Sequence, residues 1–153
     1  MSYPFTVSLV SWHDGEPLLR AIREAVFLRE QQVPVTLEWD GLDEDCRHAL
    51  ALSMKGDAIG CGRIIPPKSK QSPAHIGRLA VLPDWRGKRV GTALLEALLD
   101  YARAMKYPEV IVHAQVQAKS FYDRFGFEAE GDEFMDAGIP HVLMRLSLAT
   151  DDR

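Results

Sequence analysis

The segment from Gly77 to Met105 constrains the fold more than any other part of the chain. An apolar run, GRLAVL, leads through the basic, glycine-bearing stretch WRGKRVG. Beyond it Leu94, Leu95, Leu98, Ala102 and Met105 recur at helical spacing. Thr92, Glu96, Asp100 and Arg103 lie on the other side, so this is an amphipathic helix, and it stops before Pro108. A further apolar run, Val110 to Ala114, follows. Strand, helix, strand in that order implies one parallel pairing through a right-handed crossover.

The remaining segments fill out a mixed sheet. Strands are predicted at Phe5–Val10, His48–Met54, Ala58–Ile65, His75–Leu82, Phe127–Glu130 and Val142–Leu148, besides Val110–Ala114. The KGD turn (55–57) makes the second and third of these an antiparallel hairpin. Asp14 is a candidate cap for a helix with Pro17 in its first turn and Leu18, Ile22, Ala25 and Val26 on one face, limited by Pro34. Ala118 to Phe125 reads as a short helix ended by Gly126. The fold class is α/β: a single domain over residues 1–153, with about six to seven strands flanked by helices.

Composition removes several functions. A formal charge of −4 argues against broad nucleic-acid binding, which needs a basic face to displace counterions. No apolar run approaches the roughly 20 residues that span a bilayer, and MSYPFTVSLVSW has neither a basic start nor a sustained apolar core. A cytoplasmic protein with two reduced thiols, Cys46 and Cys61, is the expectation. No Cys/His spacing suits zinc, and DGLDED lacks EF-hand order, so no metal is expected.

Against the acidic whole, Arg86, Lys88 and Arg89 crowd a loop that opens a helix, with Gly87 and Gly91 beside them. A helix start offers amide N–H groups without intrahelical partners and the positive end of the dipole, which together suit a phosphate. Glycine lets backbone approach the oxygens closely. Neither GxxxxGK[ST] nor GxGxxG is matched, so the common nucleotide fingerprints fail.

GRLAVLPDWRGKRVGTALLEALLDYA, followed by AQVQAKSFYDRFGFEAEG, resembles the Gcn5-related N-acetyltransferases (GNAT), whose core motif is [QR]-x-x-G-x-[GA]. Arg86 fills its first place and Gly91 its last, while Arg89 stands where the middle glycine usually is. The resemblance runs from about Arg23 to Leu146. FLREQQVPVTLEWDGLDED and FMDAGIPHVLM resemble the ElaA-type bacterial subfamily.

The resemblance implies a GNAT-like sheet with its fourth and fifth strands splayed, acetyl-CoA lying along the fourth, and an amine as acyl acceptor. Backbone of Leu79, Ala80 and Val81 would pair with the pantetheine arm. Amides of Arg86, Gly87, Lys88, Arg89, Val90, Gly91 and Thr92 would cradle the pyrophosphate, and the Gln115 side chain would reach the pantetheine amides. Val81 N–H would hold the developing oxyanion, and Tyr122 matches the tyrosine that protonates the departing sulfur in many relatives. A homodimer is compatible with such proteins.

Candidates for the base are Glu38, Asp40 and Asp43 in the acidic loop, or His141 at the last strand. If the carboxylates face the cleft, a cationic amine is the natural acceptor. Arg63 and Arg78 would pair either with that loop or with an acidic acceptor. His48 is a weaker candidate, and His13, His75 and His113 carry only a structural reading. Trp39 and Trp85 read as packing residues, with lining of the acceptor mouth the alternative for Trp39, which stands beside Glu38 and Asp40. A non-catalytic acyl-CoA sensor or partner-binding domain with the same cleft is the alternative to an enzyme.

Overall fold

A computed structural model describes residues 3–148; of the single-domain span 1–153, residues 1, 2 and 149–153 lie outside the described residues. Strand β1 (Phe5–Ser11) runs directly into helix α1 (Trp12–Arg23). The Ser11 Oγ accepts the Asp14 N–H at 3.1 Å, so the cap lies three residues before the expected Asp14 and satisfies one orphan donor of the first turn. Leu19, Ile22 and Val26 form the buried stripe, and Leu18 is exposed instead. The helix continues in π form over Glu24–Glu30, and Gln32 with φ 56° ends it. A short helix, α2 (Val35–Glu38), and a tight turn at Asp43–Asp45 follow, where a plain loop was expected.

The sheet has seven strands, in the order β1-β2-β3-β4-β5-β7-β6. They are β2 (Arg47–Ser53), β3 (Ala58–Ile65), β4 (Ala74–Val81), β5 (Glu109–Gln115), β6 (Glu128–Asp136) and β7 (Ile139–Ser147), besides β1. The parallel pair is β4 with β5, joined through α3 (Val90–Ala104); every other neighbour pair is antiparallel. The last helix, α4 (Lys119–Asp123), sits between β5 and β6. This is the mixed sheet expected. Strand β6 runs on to Asp136, well past Glu130, because it is exposed almost throughout and shows no alternation to read.

Both faces of the sheet are covered, and period two sorts the side chains. Ala49 and Ala51 on β2 join the core formed with Leu94, Leu95, Leu98 and Leu99 of α3, while Leu50 between them packs with Leu19 and Ile22 of α1. Helix α3 seats unusually close to β3. A Cβ at Gly62 would stand 2.8 Å from Leu79 and 3.0 Å from Leu98, so the glycine is what admits those leucines. Met105, expected on the buried stripe, caps α3 and is exposed.

The feature that matters for function is a fault in β4. Arg63 pairs with Gly77 and Cys61 with Ala80, so Arg78 and Leu79 bulge opposite Gly62 alone. Arg78 takes a left-handed φ of 52° to make the bulge. Pairing of β4 with β5 stops at Ile76 and Val112, which leaves Gly77 to Val81 without a neighbour on that side. The sheet splits there.

Candidate active site

Two cavities open along the split, one at each end of its free β4 edge. The first is lined by Val81, Trp85, Arg86, Gly87, Arg89, Val90, Gly91, Thr92, Phe121 and Arg124. Helix α3 begins there with no side-chain cap, so its first amides are unspent by the protein. Gly87 has φ 76° and Arg89, the cap residue, φ 70°. Arg89 thus adopts the left-handed conformation that explains why a glycine usually stands at its place in the motif. A Cβ on Gly91 would meet Phe121 and Val81 only at 3.7–3.8 Å, so the space above the helix start is open.

The cations around this cavity are not equivalent. The Arg86 Nη atoms grip Glu30 at 2.6 and 2.8 Å, and its Nε donates to the Val81 carbonyl at 2.9 Å. Its charge is therefore already answered within the protein. Lys88 Nζ lies 5.3 Å from the centre of the Trp85 ring, which packs edge-on against Phe5. Arg124 was missed in the sequence. It follows Phe121 at i+3 on one helix face, and that spacing was the available signal.

Along the split, Leu82 N–H donates to Ile59 on β3. Backbone alternation therefore turns the Val81 N–H the other way, into the gap. The second cavity begins at Leu79 and is lined among others by Phe27, Gln31, Leu37, Arg78, Gln115, Tyr122, Asp136 and Ile139. Glu38, His75, His113 and His141 complete its titratable wall. His75 and His113 were given only a structural reading, yet their rings sit 4.5 Å apart in this wall. Strand parity puts His113 and Gln115 on one face of β5, but which face lines a cavity depends on the register with β4 and β7. Burial first, then His113 and the Arg63 and Arg78 charges, push His75 down to about 4, so it is neutral at pH 7.

Tyr122 lines the second cavity, next in sequence to Phe121 of the first, and is 7% exposed and edge-on to Phe121 and Phe127. Burial lifts it to about 12, which keeps its proton in place at neutral pH. Among the described residues its hydroxyl has no hydrogen-bond partner and is not a buried unpartnered atom, so it reaches the cavity. The Nδ1 of His141 stands 2.6 Å from the Ile139 carbonyl. A carbonyl only accepts, so Nδ1 carries the hydrogen, and Nε2 has no hydrogen-bond partner among the described residues. Gln115 is engaged: its Nε2 donates to Gln31 at 2.9 Å and its Oε1 accepts from Gln117.

The acidic loop departs from the sequence reading. Its carboxylates turn inward to arginines. Arg23 holds Glu38 at 2.7 Å and Asp43 at 2.5 Å; Arg63 holds Asp40 at 2.5 Å and Asp43 at 2.9 Å. Arg78 lies 3.2 Å from Glu38 and 3.4 Å from Asp40. Three cations thus meet three anions, and the cluster is neutral. Burial would raise Asp40, but the Arg63 hydrogen bond, the Leu42 N–H and the Arg63 and Arg78 charges bring it down to about 2. It does not line the cavity, so it does not fit the part of a base. Glu38 is 2% exposed, and burial raises its carboxyl against the pull of Arg78, Arg23 and Arg63. It lines the cavity but is held by Arg23 at 2.7 Å and faced by Arg78 at 3.2 Å. With these carboxylates consumed, the ground for a cationic acceptor falls away. His48 is a satisfied core histidine, its Nε2 2.9 Å from the Asp43 carbonyl, and Trp39 stacks under Arg20 and Arg23 at 4.5 and 4.7 Å. Cys46 and Cys61 are free and buried.

Among the described residues no group of three or more His, Cys, Asp or Glu could hold a metal, and no helix is long and apolar enough to cross a membrane. A family model described as an acetyltransferase (GNAT) domain matches residues 23–148. The uncharacterized N-acetyltransferase YjcF of Bacillus subtilis is 34% identical over 124 residues, covering 80% of this chain and 86% of YjcF. Protein ElaA of Escherichia coli is 32% identical over 129 residues, covering 82% of this chain and 83% of ElaA. The ElaA crystal structure matches with a TM-score of 0.82 and 27% identity, over 92% of this chain and 98% of that one. An acyl-CoA N-acyltransferase from Pseudomonas aeruginosa gives 0.82 and 28% over the same shares. A sheet split beside an uncapped helix, matched in fold and sequence by these proteins, places the chain in the GNAT family of N-acetyltransferases, enzymes of acyl transfer from acyl-CoA.

Proposed function

We propose that the protein transfers an acetyl group from acetyl-CoA to a primary amine by direct attack, with both substrates bound at once. The observation that carries the reading is the unpaired β4 edge from Gly77 to Val81, with one cavity at Val81 and the open start of α3 and the other at Leu79 and Tyr122. Amides of Val90, Gly91 and Thr92 take the pyrophosphate, with Arg89 and Arg124 close by. The free edge from Leu79 to Val81 pairs with the pantetheine arm, and to do so displaces the Arg86 side chain from the Val81 carbonyl. Gln115 turns from Gln31 to serve the same arm.

In the reaction the amine nitrogen bonds to the thioester carbon, the C–S bond breaks, and the sulfur leaves as a thiolate. The Val81 N–H stabilises the oxyanion, which matters most because it acts where charge develops. His141 Nε2, without a partner among the described residues, takes the proton from the amine. Tyr122 gives its proton to the thiolate and recovers one from solvent.

The test is release of coenzyme A thiol with a panel of amines, for the wild-type protein and Tyr122→Phe. Loss of the acid is expected to lower kcat about a hundredfold at unchanged acetyl-CoA affinity. Full activity in that variant overturns the acid role. Binding of acetyl-CoA without thiol release from any amine replaces the enzyme reading with the sensor.

A further inference from the structure

Of the three arginines in the buried cluster, Arg78 alone faces the acceptor cavity. Arg23 and Arg63 are 1% and 3% exposed and spend their donors on carboxylates, whereas the Arg78 side chain is 25% exposed. Its Nη2 donates to the Leu37 and Glu38 carbonyls at 3.1 Å, which fixes the guanidinium at the end of α2. The other nitrogens remain. Nε is buried without a hydrogen bond despite lying 3.2 Å from Glu38, and Nη1 has no partner among the described residues and is not a buried unpartnered atom. The backbone that presents this side chain is held left-handed at φ 52°, in the bulge that also splits the sheet. Strain of this kind survives only where its surroundings impose it.

The rest of the cavity lining holds no lysine and no other arginine. His75 is neutral, and Phe27, Val33, Leu37 and Ile139 are apolar. Glu38 is screened behind Arg78 by its own pairing with Arg23. Asp136 on the β6–β7 turn is the one cavity carboxylate with no ion pair among the described residues, and it sits at the exposed rim. The inner wall therefore presents one open N–H donor, Arg78 Nη1, on a guanidinium whose charge Glu38 and Asp40 already balance.

We infer that the acceptor is an amine that also carries a carboxylate, an amino-acid-type substrate whose carboxylate oxygen accepts from Arg78 Nη1. An anion placed there completes a charge-assisted bond that the protein leaves open, and its apolar portion lies against the rings and branched side chains named above. The inference rests on the acyl-transfer reading for the amine, but not for the carboxylate.

The experiment compares matched pairs, each an amino acid and the amine left after removal of its carboxyl group: leucine with isoamylamine, phenylalanine with phenethylamine, γ-aminobutyrate with propylamine. In thiol release from acetyl-CoA the carboxylate member of at least one pair is expected to have a kcat/KM about tenfold or more higher, carried in KM. Arg78→Gln abolishes that preference while acetyl-CoA still raises its Tm. Equal values within every pair, or a preference that survives in Arg78→Gln, overturn the inference. If Arg78→Gln does not fold, Arg78→Lys replaces it and is expected to keep only part of the preference, a full preference there counting against Arg78. If no amine is acylated, the acyl-transfer reading fails instead. The carboxylate site is then read by calorimetric titration with the same amino acids, and absence of binding to the wild-type protein overturns it.

Discussion

Two stretches of this chain are dense in charge, and they use it in opposite ways. Between Glu38 and Asp45 the acids fold inward onto Arg23, Arg63 and Arg78, each sign cancelled within the protein. Between Arg86 and Thr92 the helix amides are left without side-chain caps, and Arg89 and Lys88 have no acid against them among the described residues. Both look like charged loops in the sequence. The difference lies in what is left unspent: the first region holds the cleft wall in place and leaves only Arg78 Nη1 without a partner among the described residues, whereas the second leaves a whole run of helix amides uncapped.

The comparison breaks most visibly at Arg23. Arg23→Met leaves Glu38 and Asp43 buried with one partner fewer, and unfolding stability is expected to fall by about 4 kcal/mol. Lys88→Ala, on the open side, is expected to change stability by less than about 0.5 kcal/mol and to weaken acetyl-CoA binding at low salt. Urea denaturation of both proteins checks the contrast. Similar losses in the two would mean that the loop, too, is internally compensated.

Acid pH tests the same cluster without mutation. The folded pKa of Asp40, about 2, lies below its ordinary 3.8, so its contribution is complete above 3.8 and is lost as pH falls towards 2. The amount is about 2 kcal/mol at most, since Asp40 is partly exposed. Asp43 is lowered as well and adds to the same limb, whereas Glu38 is raised, so its protonation on acidification works in the opposite direction. Stability measured between pH 5 and 2 should therefore fall steeply in the wild-type protein and less so in Asp40→Asn. Parallel curves would remove Asp40 from the account.

The contrast also marks what the sequence could convey. Helix α3 and the strands around it were legible, because their periodicity lies within one continuous segment, whereas the split was expected only from the resemblance to the GNAT family. The inward turn of the acidic loop was not, since Arg23, Arg63 and Arg78 reach it across 15 to 40 residues of chain and only the folded sheet aligns them. The histidine wall escaped for a related reason. A strand's parity says that His113 and Gln115 share a face, but only the register decides that the face is a cavity. At the bulge the left-handed φ falls on Arg78 rather than on the adjoining Gly77, so the residue type did not announce it.

On the open side, the sharper test is Gly91→Ala. In the free protein the added methyl group meets nothing closer than 3.7 Å, and alanine is the better helix former by up to about 1 kcal/mol. Stability should hold or rise, while acetyl-CoA affinity falls about tenfold because the methyl stands where backbone must approach the phosphate. Thermal unfolding with and without acetyl-CoA gives both numbers. Unchanged affinity would mean that the amides of α3 are not what holds the ligand.

Arg89→Gly asks whether that region works through backbone or side chain. Left-handed backbone costs a non-glycine residue about 1–2 kcal/mol, and glycine's extra unfolded-state freedom costs about 0.5–1 kcal/mol, so a net gain near 0.5 kcal/mol is expected. Arg89 at φ 70° already holds the shape that the glycine would take, so the amide stays where it is. Acetyl-CoA affinity should then fall slightly at low ionic strength, through the missing cation, and match the wild-type value at high salt. A loss of affinity that persists at high salt would instead assign Arg89 a direct side-chain contact, and the open region would depend on its charges as much as the buried one does.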